Sequence, residues 1–282
     1  MMIMHSYTFR DYPIERALRK AKQYGFGGVE LSPCHWGWRQ DEMLAHLAET
    51  FTLADRIGVP ITCVDFSGDF LSADANVRKQ AVDNLTALLP KVQALGVTVV
   101  NGGCGNVIAG GKSDAWNENG SAAATDEHWD RAARAFRQVA AVAAQTEVLV
   151  TLEIHMNALH DTAASTIKLL EAIGSPFVKA ALDAGNMLPL TRAEAPQAAA
   201  KLLGDHLGYV HLKNCHMLPG GIADYNVSLD GGQIDMYKLV VALGEIGYEG
   251  DYCIEYCGMG DASPKARGDI AYFKSLLAEA GS

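Results

Sequence analysis

Near its start the chain reads Ile3-Met4-His5-Ser6-Tyr7 and runs straight on into Thr8-Phe9-Arg10-Asp11-Tyr12-Pro13. The apolar run suits a buried strand, and Pro13 suits the first turn of a helix. Between them stands no glycine. An open, doubly wound α/β sheet that holds a nucleotide places its glycine fingerprint at this turn, where bare backbone must approach the pyrophosphate. Its absence favours the other parallel α/β architecture, a closed (β/α)8 TIM barrel.

The rest of the chain keeps to that pattern. Further strand candidates are Gly28 to Ser32, Val59 to Asp65, Val97 to Asn101, Val148 to Glu153, Val178 to Asp183, Tyr209 to Lys213 and Tyr252 to Tyr256. Amphipathic stretches fall between them, with start signals at Pro13, at Asp161 before the stretch through Ile173, and at Ser263-Pro264 before the last. Eight β-α units over 282 residues is about 35 each, close to a barrel of roughly 250 residues plus loop insertions. A single barrel domain over 1–282 is therefore expected. Two connections are long and loop-like, Asn101 to Thr125 and Asn214 to Gln233, and both follow strand C-termini, where lids are expected.

Composition narrows the function. The chain is 49% hydrophobic and 20% charged, and no apolar run approaches the roughly 20 residues that span a bilayer, so a globular protein without membrane contact is expected. Lys and Arg total 23 against 33 Asp and Glu, a net charge of -10, which argues against a nucleic-acid partner. The start, Met1-Met2-Ile3-Met4-His5, does not read as a secretory leader. Six scattered cysteines without a Cys-x-x-Cys pair suit small core residues in a reduced cytoplasmic setting and not a cysteine zinc site.

Four consecutive strand candidates end on or carry a metal-ligand type: Glu153, Asp183, His211 and Glu255. All strand C-termini of a barrel ring one mouth, so residues this far apart in sequence converge there. Carboxylates at such positions are costly to desolvate without a counter-charge, and three together repel one another unless a cation joins them. Three oxygen ligands and one imidazole suit a divalent metal ion, Mn2+ first, then Mg2+ or Co2+, with Zn2+ less natural.

Leu152-Glu153-Ile154-His155, Leu182-Asp183-Ala184-Gly185-Asn186, Val210-His211-Leu212-Lys213-Asn214 and Ile254-Glu255, in this order, resemble the sugar isomerase/epimerase superfamily of xylose isomerase-like barrels, which includes D-tagatose 3-epimerase-like enzymes. Gly28-Val29-Glu30-Leu31 and the Ala242 to Gly250 stretch add to the likeness, which covers nearly the whole chain. The resemblance implies a metal held by Glu153, Asp183, His211 and Glu255, with Glu153 and Glu255 as the catalytic pair on opposite faces of a ketose. One carboxylate removes the proton beside the carbonyl and the other returns it, through an enediolate. By the same analogy the substrate is a small carbohydrate and the assembly a homo-oligomer.

Alternation along a strand puts His155 on the face of Glu153 and Lys213 on that of His211, which makes both candidate substrate contacts. His155 also fits the Glu-x-His pattern of the superfamily, and His216 in the following loop joins the candidates. Pro33-Cys34-His35-Trp36-Gly37-Trp38 is an aromatic cluster at a strand end, from which His35 offers a polar contact and Trp36 or Trp38 an apolar wall. Asn101-Gly102-Gly103-Cys104-Gly105 fails as a phosphate fingerprint because Ile108 stands where the last glycine belongs. Glu30 and Asp65 read as hydrogen-bonded barrel residues.

Two positions depart from the tagatose-epimerase-like pattern. Asn186 stands where Asp-x-x-His would place an imidazole, and Met217 where an arginine would follow the metal histidine. Elimination from the same enediolate gives dehydration, so a lyase acting on a keto-polyol such as an inosose is the second reading. An AP-endonuclease-type nuclease shares the barrel but needs more histidines and a basic face, and a non-catalytic sugar-binding barrel is the remaining rival.

Overall fold

The computed structural model describes residues 1–108 and 115–281, so the connection after the fourth strand lies partly outside the described residues. The barrel strands are β1 (Met2–His5), β2 (Gly28–Leu31), β3 (Ile61–Phe66), β4 (Val99–Gly102), β5 (Leu149–Glu153), β6 (Val178–Asp183), β7 (Leu207–Leu212) and β10 (Tyr252–Ile254). They close in the order β1-β10-β7-β6-β5-β4-β3-β2, all pairs parallel. The expected (β/α)8 barrel is the fold.

Helices cover the outside. In α1 (Ile14–Tyr24) Ala17, Leu18 and Ala21 face the core, while Glu15, Arg16 and Arg19 face solvent. Gly25 ends it at φ 79, a left-handed turn for which glycine has no steric cost. The other main helices are α2 (Gln40–Ile57), α3 (Ala75–Ala94), α4 (Asp126–Thr146), α5 (Ala163–Ile173), α7 (Pro196–Leu203), α8 (Met236–Glu245) and α9 (Ser263–Ala280), with a single turn α6 (Ala184–Met187) directly after β6. At α5 the cap is Thr162, one residue past the expected Asp161, in a reciprocal pair with Ser165.

The strand ends fall within two residues of expectation, and two differences bear on the site. The first strand stops at His5 because Ser6–Phe9 turns into a 3-10 segment, whose Ser6 hydroxyl accepts a bond from the Ser32 N–H at 2.9 Å. The stretch after β7, expected as loop throughout, contains an antiparallel hairpin of β8 (His216–Leu218) and β9 (Ile222–Asp224). Its turn passes through Gly220 at φ 85 and Gly221 at φ 80, conformations that glycine adopts freely.

Inside the barrel, Ile3, Cys63, Ala181, Tyr209 and Cys253 fill one apolar layer. Each large side chain so buried contributes about 1.5–3 kcal/mol relative to exposure. The next turn of the pleat toward the strand C-termini is polar. His5 pairs in register with Glu30, Asp65 with Asn101, Asn101 with Thr151, and Asp183 with His211. Closure of the strands thus delivers a ring of polar groups onto an apolar plug.

Candidate active site

Glu153 and Asp183 are the last residues of β5 and β6, His211 lies within β7, and Glu255 follows β10, its N–H still bonded to the Leu212 carbonyl at 3.0 Å. One ligand atom from each of the four lies within 4.8 Å of the others. The structure therefore brings together all four residues expected to hold a metal.

His211 shows how they fit a cation. Its Nε2 lies 2.8 Å from Glu30 Oε2, and that carboxylate also accepts from the Tyr209 hydroxyl at 2.6 Å and from Asn101 Nδ2 at 3.0 Å. The other ring nitrogen, Nδ1, is buried with no hydrogen-bond partner, 3.5 Å from Glu153 Oε1 and 3.9 Å from Asp183 Oδ2. An imidazole that donates one N–H to a buried carboxylate presents the opposite nitrogen as a ligand of fixed direction. Burial opposes charge on the ring, but Glu30 and Glu153 outweigh it and raise His211 well above the usual histidine range. A proton or a metal ion at Nδ1 answers the same negative field.

The carboxylates divide unequally. Burial works against ionisation at Glu153, yet His211 and Lys213 lower it to about 2. Glu255 is likewise held well below the ordinary carboxylate range against burial, by Lys213 and His5. Asp183 is raised to about 6 by burial and by Glu153 and Glu255, Lys213 notwithstanding. Lys213 Nζ donates to Glu255 Oε2 at 2.7 Å and to Asp183 Oδ2 at 2.9 Å. Even with a protonated His211 beside the Lys213 ammonium, three carboxylates leave the set short of positive charge, which a divalent cation supplies. The donor set, the unpartnered imidazole nitrogen and the charge balance all fit a metal.

Asn186 is built into this set. Its side-chain Nδ2 lies 2.9 Å from Glu153 Oε1, 3.0 Å from Asp183 Oδ2 and 3.2 Å from the Ile154 carbonyl, and its N–H donates to Asp183 Oδ1 at 3.0 Å. Here the amide braces two ligands while one face lines the cavity. Gly185 beside it packs on Lys213, where a Cβ would come within 2.9 Å of the lysine carbonyl oxygen, so the short α6 turn requires glycine.

The cavity lined by Glu153 and Glu255 has a volume of about 670 Å³, within the range of small-molecule sites. His155 and Lys213 line it, the imidazole Nδ1 of His155 donating to the Met156 carbonyl at 2.8 Å. His35, Trp36 and His216 are not among the lining residues. The ring nitrogens of His35 lie 3.0 Å from the Tyr12 carbonyl and 3.2 Å from that of Ser6. Trp36 packs on the core and stacks on His46, and His216 begins the hairpin. From the same aromatic cluster it is Trp38 that reaches the cavity.

His5 was not among the expected site residues. Its Nδ1 lies 2.8 Å from Glu255 Oε1 and its Nε2 2.9 Å from Asp65 Oδ2. Against the pull of burial, Asp65, Glu255 and Glu30 raise its pKa well above the ordinary value. Glu30 and Asp65, read as bonded barrel residues, do take hydrogen bonds within the barrel and are also the outer partners of His211 and His5. The strand-end rule that found the other residues also finds His5 once β1 is ended there.

The fold has close structural counterparts. The chain superposes on a D-allulose 3-epimerase from Methylomonas sp. with a TM-score of 0.78 at 18% identity, covering 98% of this chain and 97% of that one. A magnesium complex of a xylose isomerase-like TIM barrel protein from Mycobacterium smegmatis gives 0.77 at 16% identity, covering 100% and 97%. The probable 3-DHS dehydratase AsbF from Bacillus anthracis gives 0.74 at 18% identity, covering 97% and 98%. No curated protein matches the sequence significantly. A family model of the xylose isomerase-like TIM barrel matches residues 18–276, and with the closed barrel and its strand-end carboxylates this places the chain in that family.

Proposed function

We propose that the protein is a metal-dependent isomerase or epimerase of a ketose or related keto-polyol, acting by proton transfer next to the carbonyl through an enediolate. The reading is carried by one observation: two glutamates held ionised, Glu153 and Glu255, flank an unpartnered imidazole nitrogen at the base of a cavity of small-molecule size. Glu153, Asp183, His211 and Glu255 would hold the divalent ion, with Mn2+ preferred for its oxygen-rich set. When bound, such an ion polarises a carbonyl and acidifies the neighbouring C–H.

The chain's own groups do the rest. Glu153 and Glu255 are charged at neutral pH and so are competent to accept a proton from carbon and to return it. His5 and Lys213 each take one oxygen of Glu255, which fixes its plane, and Asn186 fixes Glu153. His155 faces the cavity where hydroxyl groups of a sugar would lie. Among the described lining residues Lys213 alone is a lysine or arginine, which suits a neutral polyol and not a nucleic-acid backbone.

A dehydratase acting on a keto-polyol is the second reading, favoured by one observation. Asn186, which stands where the epimerase pattern has histidine, is spent on bracing Glu153 and Asp183. Proton NMR in D2O with Mn2+-loaded and EDTA-treated protein, across ketoses and inososes, separates the readings. Metal-dependent deuterium entry beside the carbonyl with all hydroxyls retained is the expected result. Loss of a hydroxyl signal would move the assignment to the lyase, and no exchange from any compound would overturn both.

A further inference from the structure

The ladder between β4 and β5 stops where its register would still carry it on. Val99 pairs with Leu149 and Asn101 with Thr151, and the Leu149 N–H donates to the Thr98 carbonyl at 2.8 Å. Bonds of a parallel ladder recur at every second residue, so two residues past Gly102 the series would join the Cys104 N–H to the carbonyl of Glu153. That bond is replaced. The Cys104 N–H donates instead to Nε2 of His160 at 3.1 Å, and the imidazole is wholly buried.

A ring nitrogen that accepts an N–H carries no proton of its own, so in the neutral imidazole the proton sits on Nδ1. Burial lowers His160 to about 4 against the pull of the Glu153 carbonyl, which leaves the ring neutral at pH 7. Nδ1 is buried and closes no hydrogen bond of ordinary geometry, and the carbonyl of Glu153 is the backbone acceptor that acts on the ring. The imidazole thus stands between the two groups that the ladder would have joined. Gly103 lies against it, where a Cβ would sit 3.5 Å from Cε1, and both residues line the cavity. An apolar side chain would fill this space without burying an open donor, so the polar ring answers its two backbone neighbours, one of them the main chain of Glu153.

We propose that His160 is a positioning residue for Glu153: its imidazole takes the place of the next β4–β5 bond, holds the end of β5 from behind and so sets where that carboxylate meets cation and substrate. This rests on the enolisation reading above and adds to it the residue that places one of the two glutamates. Asn186 and Asn101 brace Glu153 at its side-chain oxygens, at 2.9 and 3.4 Å, and His160 does so at the backbone. Glu255 needs no such wedge, because its own N–H stays in the ladder, bonded to the Leu212 carbonyl.

The test compares His160→Leu, which fills the space and serves neither backbone group, with His160→Gln, whose amide offers both an acceptor and a donor. Calorimetric titration with Mn2+ gives the Kd of the cation alone, and deuterium exchange across the ketose and inosose panel gives kcat and KM. His160→Leu is expected to weaken Mn2+ binding and to lower kcat by about ten- to a hundredfold each, the range for a group that orients a ligand, with KM changed by less than about threefold. His160→Gln is expected to recover most of both losses. In the metal-free unmodified protein, 15N NMR should show a histidine protonated at Nδ1 and bare at Nε2, a signal that His160→Gln removes, and this reading stands even where His160→Leu does not fold. The proton found on Nε2, equal losses in the two variants, or a folded His160→Leu that binds Mn2+ and exchanges as the unmodified protein does, each overturns the proposal and leaves the enolisation reading intact. A difference in Mn2+ affinity between the variants, with no exchange from any compound in any of the three proteins, removes the enolisation reading and leaves the positioning of Glu153 standing.

Discussion

The two nitrogens of His211 face opposite demands, and that asymmetry organises the site. Nε2 is tied to Glu30, itself pinned by Tyr209 and Asn101, while Nδ1 faces Glu153 and Asp183 with nothing to bond. The ligand carboxylates are similarly buttressed, so replacing one by its amide should keep the shape and remove the charge. Glu153→Gln and Glu255→Gln are each expected to reduce deuterium exchange by at least about a hundredfold, the range of a lost acid–base group, while thermal unfolding changes by less than about 2 kcal/mol. Either variant retaining full exchange would remove that glutamate from the chemistry. Strand-end position alone made these four residues legible in the sequence. His5 was hidden by a two-residue overrun of β1, since a run ending in Ser6-Tyr7 looks extended until the Ser6 bond to Ser32 turns it into a 3-10 segment. His35 and Trp36 have the right composition and sit at a strand end, but a short 3-10 turn over Pro33–Trp36 directs them to backbone carbonyls and to the core.

At the scale of elements, the loops beyond the strands are tied to helices through buried polar groups. Asp161 at the head of α5 is wholly buried and pairs with Arg192, whose guanidinium also donates to the carbonyls of Trp116, Asn117 and Asn119. That one arginine ties the described end of the β4 connection to the segment after β6. On the other side, Asp269 of α9, 1% exposed, accepts the Leu229 N–H at 2.8 Å and so holds the segment after the hairpin. Burial, with help from Asp230, raises Asp269 to about 7. An acid whose pKa is higher folded than unfolded binds more protons in the native state, so its contribution is full below about 4 and is lost as pH rises to about 7. Asp269→Asn keeps an acceptor oxygen for Leu229 and cannot ionise. Denaturant melts of the unmodified protein are thus expected to show stability falling over that window, and Asp269→Asn to flatten the fall. Parallel pH curves for the two proteins would show that Asp269 does not titrate there. None of these ties was readable from the sequence, because each joins residues tens of positions apart through loops without periodicity.

For the molecule as a whole, the barrel concentrates negative charge at one end of a single closed sheet. Strand alternation and the missing glycine after β1 were enough to identify that sheet, since parallel strands buried on both faces leave long apolar runs that loops do not imitate. Its polar mouth could be read only in part, because the convergence of Glu30, Asp65 and Asn101 depends on inter-strand register. The energetic consequence is testable without any substrate. Glu153, Asp183 and Glu255 face the Lys213 ammonium and a protonated His211, and Asp183 still remains raised to about 6, so the native mouth carries repulsion that the unfolded chain lacks. A divalent ion that binds only the folded form should stabilise it by about 2.7 kcal/mol at a hundredfold excess over its Kd. For a chain of this size that is a rise in Tm of roughly 5–10 °C, in one cooperative transition because every barrel strand belongs to the same sheet. The rise should appear with Mn2+, reverse with EDTA, and shrink strongly in His211→Ala, where Nδ1 is gone, and in Glu153→Gln, where one ligand charge is gone. Identical melting in EDTA and in millimolar Mn2+, Mg2+, Co2+ and Zn2+ would mean that Lys213 and shared protons alone balance the mouth, and the metal assignment would fall with it.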